Sequence, residues 1–445
     1  MVAALAKRTG MLQGVLVASV IMSVAASARP QGTDASTRQI EQVLRKAVEE
    51  QHLPGVVAMV AQGDAVVFQQ AFGKQSATKG LPMATDSIFR IASMTKAVTS
   101  VAVMQLVERG RVKLDEPAGT YLPELSHVQV LEGFDANGTA QLRPPKTPVT
   151  VRQLLTHTSG FGYEFFNQNL SRYVAGGRVP SIRTGDRGFL NAPLLFDPGT
   201  KWEYGISTDW LGTLVEKISG QSLEEYFRQN IFAPLGMGDS FFNVPEDKHP
   251  RVVAVFERKD DGTLAENPPQ AFKPVQFLSG GGGLYSTAND YLKLTRMLLG
   301  GGKLGKTRVL QAETVAQMGR NQIGDLTLTV IKSLAPELAR NVPVPGLLDK
   351  FGFGFAINTQ PVAGGRASGS MAWAGIYNTF FWIDPAGKTT AVLMMQLLPF
   401  MDEAAKGLLE GFELAVYASG RGKDRSELPA PVDIITARAT WLISP

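Results

Sequence analysis

The chain has 445 residues, of which 44% are hydrophobic and 19% charged, a composition typical of a globular protein with a large core and unlike that of a disordered one. The net charge of +4 comes from scattered lysines and arginines, without the basic run that would indicate binding to nucleic acid or an acidic membrane. The chain has no cysteine, which excludes a thiol nucleophile, disulfides and cysteine-based zinc sites, and its four histidines are widely spaced. We therefore expect no metal and no other cofactor.

The N-terminal 28 residues have the pattern of a secretory signal peptide. Lys7 and Arg8 precede an apolar stretch at 14–25, and Ala26-Ser27-Ala28 provides a small-residue cleavage site. An uncleaved membrane anchor is the alternative, but the stretch is short and rich in Ala and Ser. We expect bacterial export to the periplasm or medium, with no stable membrane insertion after cleavage.

The predicted elements begin with a helix at 37–51, where apolar residues recur at helical spacing, and a hairpin of strands at 55–60 and 65–72. Helical patterns separated by Gly- and Pro-rich loops then dominate from about 93 to 299. Strand patterns return late, and a final helix fits 403–418. The late strands are predicted at 351–358, 370–377, 379–383 and 389–396.

This order predicts an α+β fold, a sandwich in which one antiparallel sheet is built from N- and C-terminal strands and flanked by helices. An all-α lobe is inserted between the two groups of strands, and a site is expected in the cleft between lobe and sheet. The predicted domain covers 29–420. A tail at 421–445 remains, and its composition allows disorder.

Two Ser-x-x-Lys sequences are candidates for a nucleophile and its base. This spacing is a weak signal, because about two such pairs are expected by chance in a chain of this length. Ser76 and Lys79 lie in a turn between glycines, where nothing fixes one side chain relative to the other. Ser93 and Lys96 instead open a nearly apolar run that stops at Gly110, which is the pattern of a buried helix.

A spacing of three residues places Ser93 and Lys96 on one face of the first helical turn, so the amine can reach the hydroxyl. Burial disfavours a charged ammonium, and Lys96 is therefore predicted to take the hydroxyl proton. The unpaired N–H groups at a helix start also favour a developing oxyanion. The alternative is that Ser93 only caps the helix.

The segment from Phe89 to Lys96 resembles the first active-site motif of serine β-lactamases, penicillin-binding proteins and their esterase relatives. Further landmarks follow in the family's order, so that the resemblance covers about 40–415. They are Val149 to Gly160, Pro198 to Tyr204, Pro234-Leu235-Gly236-Met237 and Ser279 to Leu284.

The resemblance implies roles for further residues. Tyr204 matches the tyrosine that carries the proton to and from the leaving group, which completes a catalytic set with Ser93 and Lys96. The oxyanion hole would consist of the backbone N–H groups of Ser93 and Ile376. His157 lies inside a family landmark but is not required for catalysis in this fold, so we interpret it as structural.

Two positions depart from the β-lactamase pattern. Ile206 stands where class C β-lactamases have an asparagine, and Trp373-Ala374-Gly375 replaces Lys-Thr-Gly. The hydrocarbon of Ile206 cannot make the hydrogen bond that the asparagine makes to the amide side chain of the antibiotic, and an indole has no charge to hold the carboxylate of a β-lactam as the lysine does. These four residues are predicted to bind substrate, and the combination looks like the family VIII carboxylesterases.

The sequence therefore predicts a serine carboxylesterase that hydrolyses short to medium acyl esters, with a small-molecule ester as its partner. A β-lactamase or D,D-peptidase and an acyltransferase are alternatives with the same nucleophile. A binding module that has lost its chemistry is an alternative from another class. The sequence does not specify the oligomeric state.

Overall fold

The computed structural model describes residues 35–269, 271–343 and 350–418. The predicted signal peptide at 1–28 and tail at 421–445 lie outside these ranges. The α-helices of the described residues are α1 (Ala35–Glu49), α2 (Thr95–Glu108), α3 (Val151–Leu155), α4 (Gln168–Ala175), α5 (Ser207–Ser219), α6 (Leu223–Phe227), α7 (Ala233–Leu235), α8 (Ala288–Leu299), α9 (Ala312–Met318) and α10 (Glu403–Ala418). Shorter helical turns include Ala92–Met94, Ala118–Thr120, Pro123–Ser126, Ile182–Thr184, Arg187–Asn191, Arg228–Phe232 and Glu246–Arg251.

The strands fall into one large sheet and several small ones. In chain order they are β1 (Gly55–Gln62), β2 (Ala65–Ser76), β3 (Leu81–Pro82), β4 (Phe89–Arg90), β5 (Val130–Phe134), β6 (Ala140–Arg143), β7 (Phe256–Arg258), β8 (Leu264–Glu266), β9 (Tyr285–Ser286), β10 (Lys303–Leu304), β11 (Thr307–Arg308), β12 (Lys350–Phe351), β13 (Ala356–Ile357), β14 (Met371–Gly375), β15 (Thr379–Asp384), β16 (Thr389–Met394) and β17 (Leu397–Leu398).

The large sheet is antiparallel and joins the two ends of the described chain, as predicted. Its strand order is β12-β13-β14-β15-β16-β1-β2-β3, and β1 pairs with β16 so that Val57 lies opposite Met394. Helices α1 and α10 pack together against one face, and the larger core, which contains α2, α5 and α8, covers the other. Because both faces are covered, β15 and β16 are buried along their whole length.

Two details differ from the sequence prediction. The strand expected at 351–358 is broken into β12 and β13 by a turn at Gly354, whose φ is +88° and where a Cβ would lie 2.2 Å from Ser100 Oγ. The turn thus packs against α2, and only glycine fits there. The inserted lobe is mostly helical but also contains the hairpins β5–β6 and β7–β8, so it is not all-α. Within the described residues, no helix has the length and apolar character needed to cross a membrane.

Candidate active site

The predicted nucleophile lies where the large sheet meets the helical lobe. Ser93 is the middle residue of the turn Ala92–Met94, and α2 follows directly. The residue before it, Ala92, has a φ of +42°, a left-handed conformation that costs a non-glycine residue about 1–3 kcal/mol. The residue that caps α2 is Met94, which makes no side-chain cap bond, so the structure disfavours the interpretation of Ser93 as a simple helix cap.

Strand β14 approaches this turn closely. A Cβ added to Gly375 would lie 2.3 Å from the carbonyl oxygen of Ile91 and 2.4 Å from Thr379 Oγ1. Only a residue without a side chain therefore allows this approach. Ser93 and Ile376 line the same cavity, as the predicted oxyanion hole requires.

Lys96 lies in the first turn of α2, and its side chain is only 1% exposed. Its Nζ lies 3.2 Å from Ser93 Oγ, 3.0 Å from the Tyr163 hydroxyl and 2.7 Å from the carbonyl oxygen of Gly281. The carbonyl and the phenol accept hydrogen bonds from the amine, and together they hold Nζ beside the serine hydroxyl.

The carbonyl that holds Lys96 is itself positioned by a buried carboxylate on α5. Asp209 Oδ1 accepts hydrogen bonds from the backbone N–H of Gly281 at 3.1 Å and from Ser279 Oγ at 2.5 Å. Burial raises the pKa of Asp209, while the nearby Lys96 and these bonds oppose the rise. Asp209 thus fixes the glycine-rich loop on which the amine depends, a role that the sequence analysis did not assign.

Two tyrosines stand beside Lys96. The amine lies 4.7 Å from the ring centre of Tyr204, whose hydroxyl accepts a bond from Trp373 Nε1 at 3.4 Å. The phenol hydrogen-bonded to the amine belongs to Tyr163, and burial raises the pKa of this phenol well above its usual value, which keeps it protonated. The sequence analysis missed Tyr163, although it follows the family landmark that ends at Gly160.

A cavity of about 350 Å³ opens over these groups. Its polar centre contains Ser93, Tyr163 and Tyr204, and its walls are largely aromatic and aliphatic, including Phe165, Phe166 and the predicted substrate-binding residues Trp373, Ala374 and Gly375. Ile206, which was also predicted to bind substrate, is not among the lining residues. Because it immediately precedes α5, its side chain packs into the core and is 3% exposed.

His157 is buried behind the site. Its ring centre lies 5.0 Å from that of Tyr204 and 5.5 Å from that of Phe351. Burial, and secondarily the charge of Lys96, lowers the pKa of His157 well below its usual value, which favours the neutral ring. It supports Tyr204 by packing, in agreement with its structural interpretation.

Several known proteins are similar to this chain in sequence. A family model described as Beta-lactamase matches residues 40–414. The chain is 33% identical to monacolin J acid methylbutanoyltransferase from Aspergillus terreus, over 85% of this chain and 95% of that protein. It is 31% identical to esterase EstB from Burkholderia gladioli, over 80% of this chain and 89% of that one.

A solved structure is also similar to this chain in fold. Unliganded simvastatin synthase (LovD) from Aspergillus terreus superposes with a TM-score of 0.74 and 31% identity, over 86% of this chain and 98% of that one. The chain therefore belongs to the Beta-lactamase family of serine enzymes.

Proposed function

We propose that this protein is an acyltransferase that forms an acyl-enzyme on Ser93 and passes the acyl group to an alcohol, with water as a competing acceptor. The observation that carries the proposal is the buried Lys96 amine, 3.2 Å from Ser93 Oγ at the wall of an aromatic cavity. From the sequence alone, ester hydrolysis was the first prediction and acyl transfer an alternative. Monacolin J acid methylbutanoyltransferase and its relatives support acyl transfer at least as well.

The chemistry proceeds in two similar halves. Lys96 takes the proton of Ser93 as Oγ attacks the acyl carbonyl, and the backbone N–H groups of Ser93 and Ile376 stabilise the oxyanion. The bond to the leaving group then breaks, and the proton reaches its oxygen or sulfur through the phenol of Tyr204. In the second half an acceptor hydroxyl loses its proton by the reverse route and attacks the acyl carbonyl, which releases Ser93.

The apolar walls of the cavity favour transfer of the acyl group to an alcohol over its hydrolysis by water. Phe165, Phe166 and Trp373 surround the nucleophile with apolar surface, which excludes water and favours acceptors that carry hydrocarbon. The same surface disfavours the β-lactamase alternative. Trp373 has one neutral N–H donor, and that donor is already directed at Tyr204.

Ester hydrolysis is the second candidate, and the likeness to esterase EstB favours it. Both activities use the same acyl-enzyme, so the partition of products distinguishes them. The test is to supply p-nitrophenyl butanoate with increasing concentrations of cyclohexanol and to quantify cyclohexyl butanoate and butanoic acid by gas chromatography.

Under acyl transfer, ester accumulates at the expense of acid as the alcohol concentration rises, and the Ser93→Ala variant forms neither product. If acid remains the product at every alcohol concentration, the protein is a hydrolase instead. If the folded protein releases no p-nitrophenol from this or other activated esters and thioesters, the acyl-enzyme proposal fails.

We also propose that residues 1–28 direct export. The support is the charge and hydropathy pattern of this segment. N-terminal sequencing of protein recovered from the periplasm or medium would test it, and retention of residues 1–28 there would contradict cleavage.

A further inference from the structure

The cavity over Ser93 lies beside a stretch of the edge of β14 that is not paired with another strand of the described residues. Strand β13 pairs with β14 at two positions, Ala372 and Met371. From Trp373 to Gly375, the partner of β14 among the described residues is β15, on the other side. No strand of the described residues therefore covers this part of the edge, which the turn that holds Ser93 approaches at Gly375.

The lining residues show that the cavity extends past this unpaired stretch of β14. Successive side chains of a strand point to opposite faces of the sheet. Trp373 and Phe381 are paired on the face that carries the larger core, and Ala374 and Phe380 are paired on the face covered by α10. All four line the same cavity, which therefore continues around the edge of β14 to the far side of the sheet.

We name this far part of the cavity the back arm. Its defining residues come from β14, β15, α10 and the loop before α10. They are Ala372, Ala374, Phe380, Trp382, Phe400 and Leu409.

The chemistry of the back arm is that of a hydrocarbon site. Two small alanine side chains leave room along its floor, and aromatic rings and a leucine form its walls. Arg366 also lines the cavity, but its charge is compensated by Glu413, with Nε–Oε1 at 2.9 Å and Nη2–Oε2 at 2.6 Å. The guanidinium lies 5.1 Å from the ring centre of Trp382. This pairing offers no free charge to an anionic ligand.

The length of the back arm sets the length of the ligand that it can hold. The strand advances about 3.3 Å per residue, so Ala372 lies about 10 Å along β14 from Gly375, beside the oxyanion hole. A staggered hydrocarbon chain with bonds of about 1.5 Å advances about 1.3 Å per carbon. A chain of about eight carbons is thus the shortest that reaches the end of the back arm.

We propose that the back arm binds the unbranched hydrocarbon chain of a medium to long acyl group whose carbonyl is attacked by Ser93. This inference rests on the proposed acyl-enzyme and names its acyl substrate class, which extends beyond the short to medium acyl groups expected from sequence. Each methylene that enters the back arm improves kcat/KM about fourfold, the value expected for complete burial.

The test compares p-nitrophenyl esters of butanoic, hexanoic, octanoic and decanoic acid, with the leaving group held constant. We expect kcat/KM to rise through the decanoate. Leu409→Trp fills the back arm from α10 and lowers the ratio of decanoate to butanoate kcat/KM at least about tenfold, as the loss of two or more buried methylenes requires. Leu414→Trp, on the same helix but at a position 45% exposed and outside the cavity, leaves the ratio unchanged.

A binding measurement separates this inference from the proposed function. Calorimetric titration of Ser93→Ala with methyl butanoate and methyl decanoate reports chain recognition without turnover, and the decanoate is expected to bind more tightly. If the two esters bind equally, or if Leu409→Trp leaves the ratio unchanged, the back arm is not a chain-binding site. If binding depends on chain length but the wild-type protein cleaves no ester, the proposed reaction fails and the back arm stands.

Discussion

Two segments of this chain share the spacing Ser-x-x-Lys and differ in almost everything else. At Ser93 the serine faces a cavity and lies 3.2 Å from a lysine amine that is almost fully buried. At Ser76 the hydroxyl donates to Glu266 Oε1 at 2.8 Å, and Lys79 is exposed at the tip of a turn. The hydroxyl of Ser76 is thus bound to a carboxylate and is not placed beside the amine of Lys79.

The difference shows what the spacing contributes. A spacing of three brings two side chains together only where the backbone is helical. Burial in addition holds both side chains in place and keeps water from separating them. The segment at Ser93 is both helical and buried, because α2 crosses the core. The segment at Ser76 is not helical, since β2 ends there in a solvent-exposed turn.

The sharpest test of this comparison is to remove each hydroxyl. Ser93→Ala should reduce turnover of p-nitrophenyl butanoate by at least about 10⁴-fold, because the covalent route is lost. Ser76→Ala should leave kcat unchanged and lower the free energy of unfolding by about 1 kcal/mol through its lost bond to Glu266. Steady-state kinetics and urea unfolding measure both, and a larger kinetic loss in Ser76→Ala would reverse the assignment.

Replacing each lysine should give the next largest contrast. Lys96→Met should lower kcat by about 10²–10⁴-fold, the range for a general base, and should prevent labelling of Ser93 by a fluorophosphonate. Lys79→Met, at an exposed position, is the matched control and should keep wild-type kinetics and labelling. Mass spectrometry of the labelled peptide locates the reaction, and unimpaired labelling of Lys96→Met would remove Lys96 from the role of base.

Strand β14 faces Ser93 and has no counterpart at Ser76. A substitution in β14 is therefore a further test of the difference between the two Ser-x-x-Lys segments. Gly375→Ala introduces a Cβ that collides with the Ile91 carbonyl, which displaces Ile376 and should cost about 10²-fold in kcat. Circular dichroism would establish that the variant is folded. Wild-type kcat in a folded Gly375→Ala protein would argue against the backbone of Ile376 as an oxyanion donor.

The smallest expected effect is a change in the pH dependence of stability, caused by His157, which lies near Lys96. Because the pKa of His157 is lowered in the folded state, its contribution to stability is complete above the unfolded pKa near 6.5 and declines as the pH falls below it. The decline is about 1.4 kcal/mol per pH unit. His157→Asn does not titrate and tolerates the left-handed backbone at this position, where φ is +57°.

Urea unfolding of wild type and His157→Asn between pH 7 and pH 5 measures this term, and the difference between the two proteins should shrink or reverse as the pH falls. Asp209 and Glu203 have raised pKa values, which make the protein more stable as the pH falls. Because both proteins contain these two residues, the difference between the two unfolding free energies reports His157 alone. Parallel pH profiles for the two proteins would show that folding leaves the pKa of His157 unchanged.

The sequence predicted the elements whose signal is local. The closing helix was predicted at 403–418, the bounds that α10 has; β14 and β16 lie within the predicted strands, and β15 extends one residue beyond its predicted end. The antiparallel sheet from both chain ends is confirmed. These features depend on hydrophobic period and on turn residues, both of which are visible in a single sequence.

What the sequence did not predict depends on contacts between distant segments. Tyr163 reaches Lys96 only because the loop before α4 folds over α2, and no local pattern marks it. Asp209 acts through a loop some seventy residues further along the chain. Ile206 looked like a binding residue by its place in a motif, but the turn into α5 directs it into the core.

The pairing of β1 with β16 has a consequence for synthesis of the chain on the ribosome. Ser93 and Lys96 are made early, whereas β14 and Ile376 are made late, and β14 joins the N-terminal hairpin only through β15 and β16. Contacts between such distant segments pay their loop-closure entropy before they gain stability and form slowly. A nascent chain that ends before Thr389 would thus contain the nucleophile and its base without a fixed oxyanion hole, and activity would begin only when translation is almost complete.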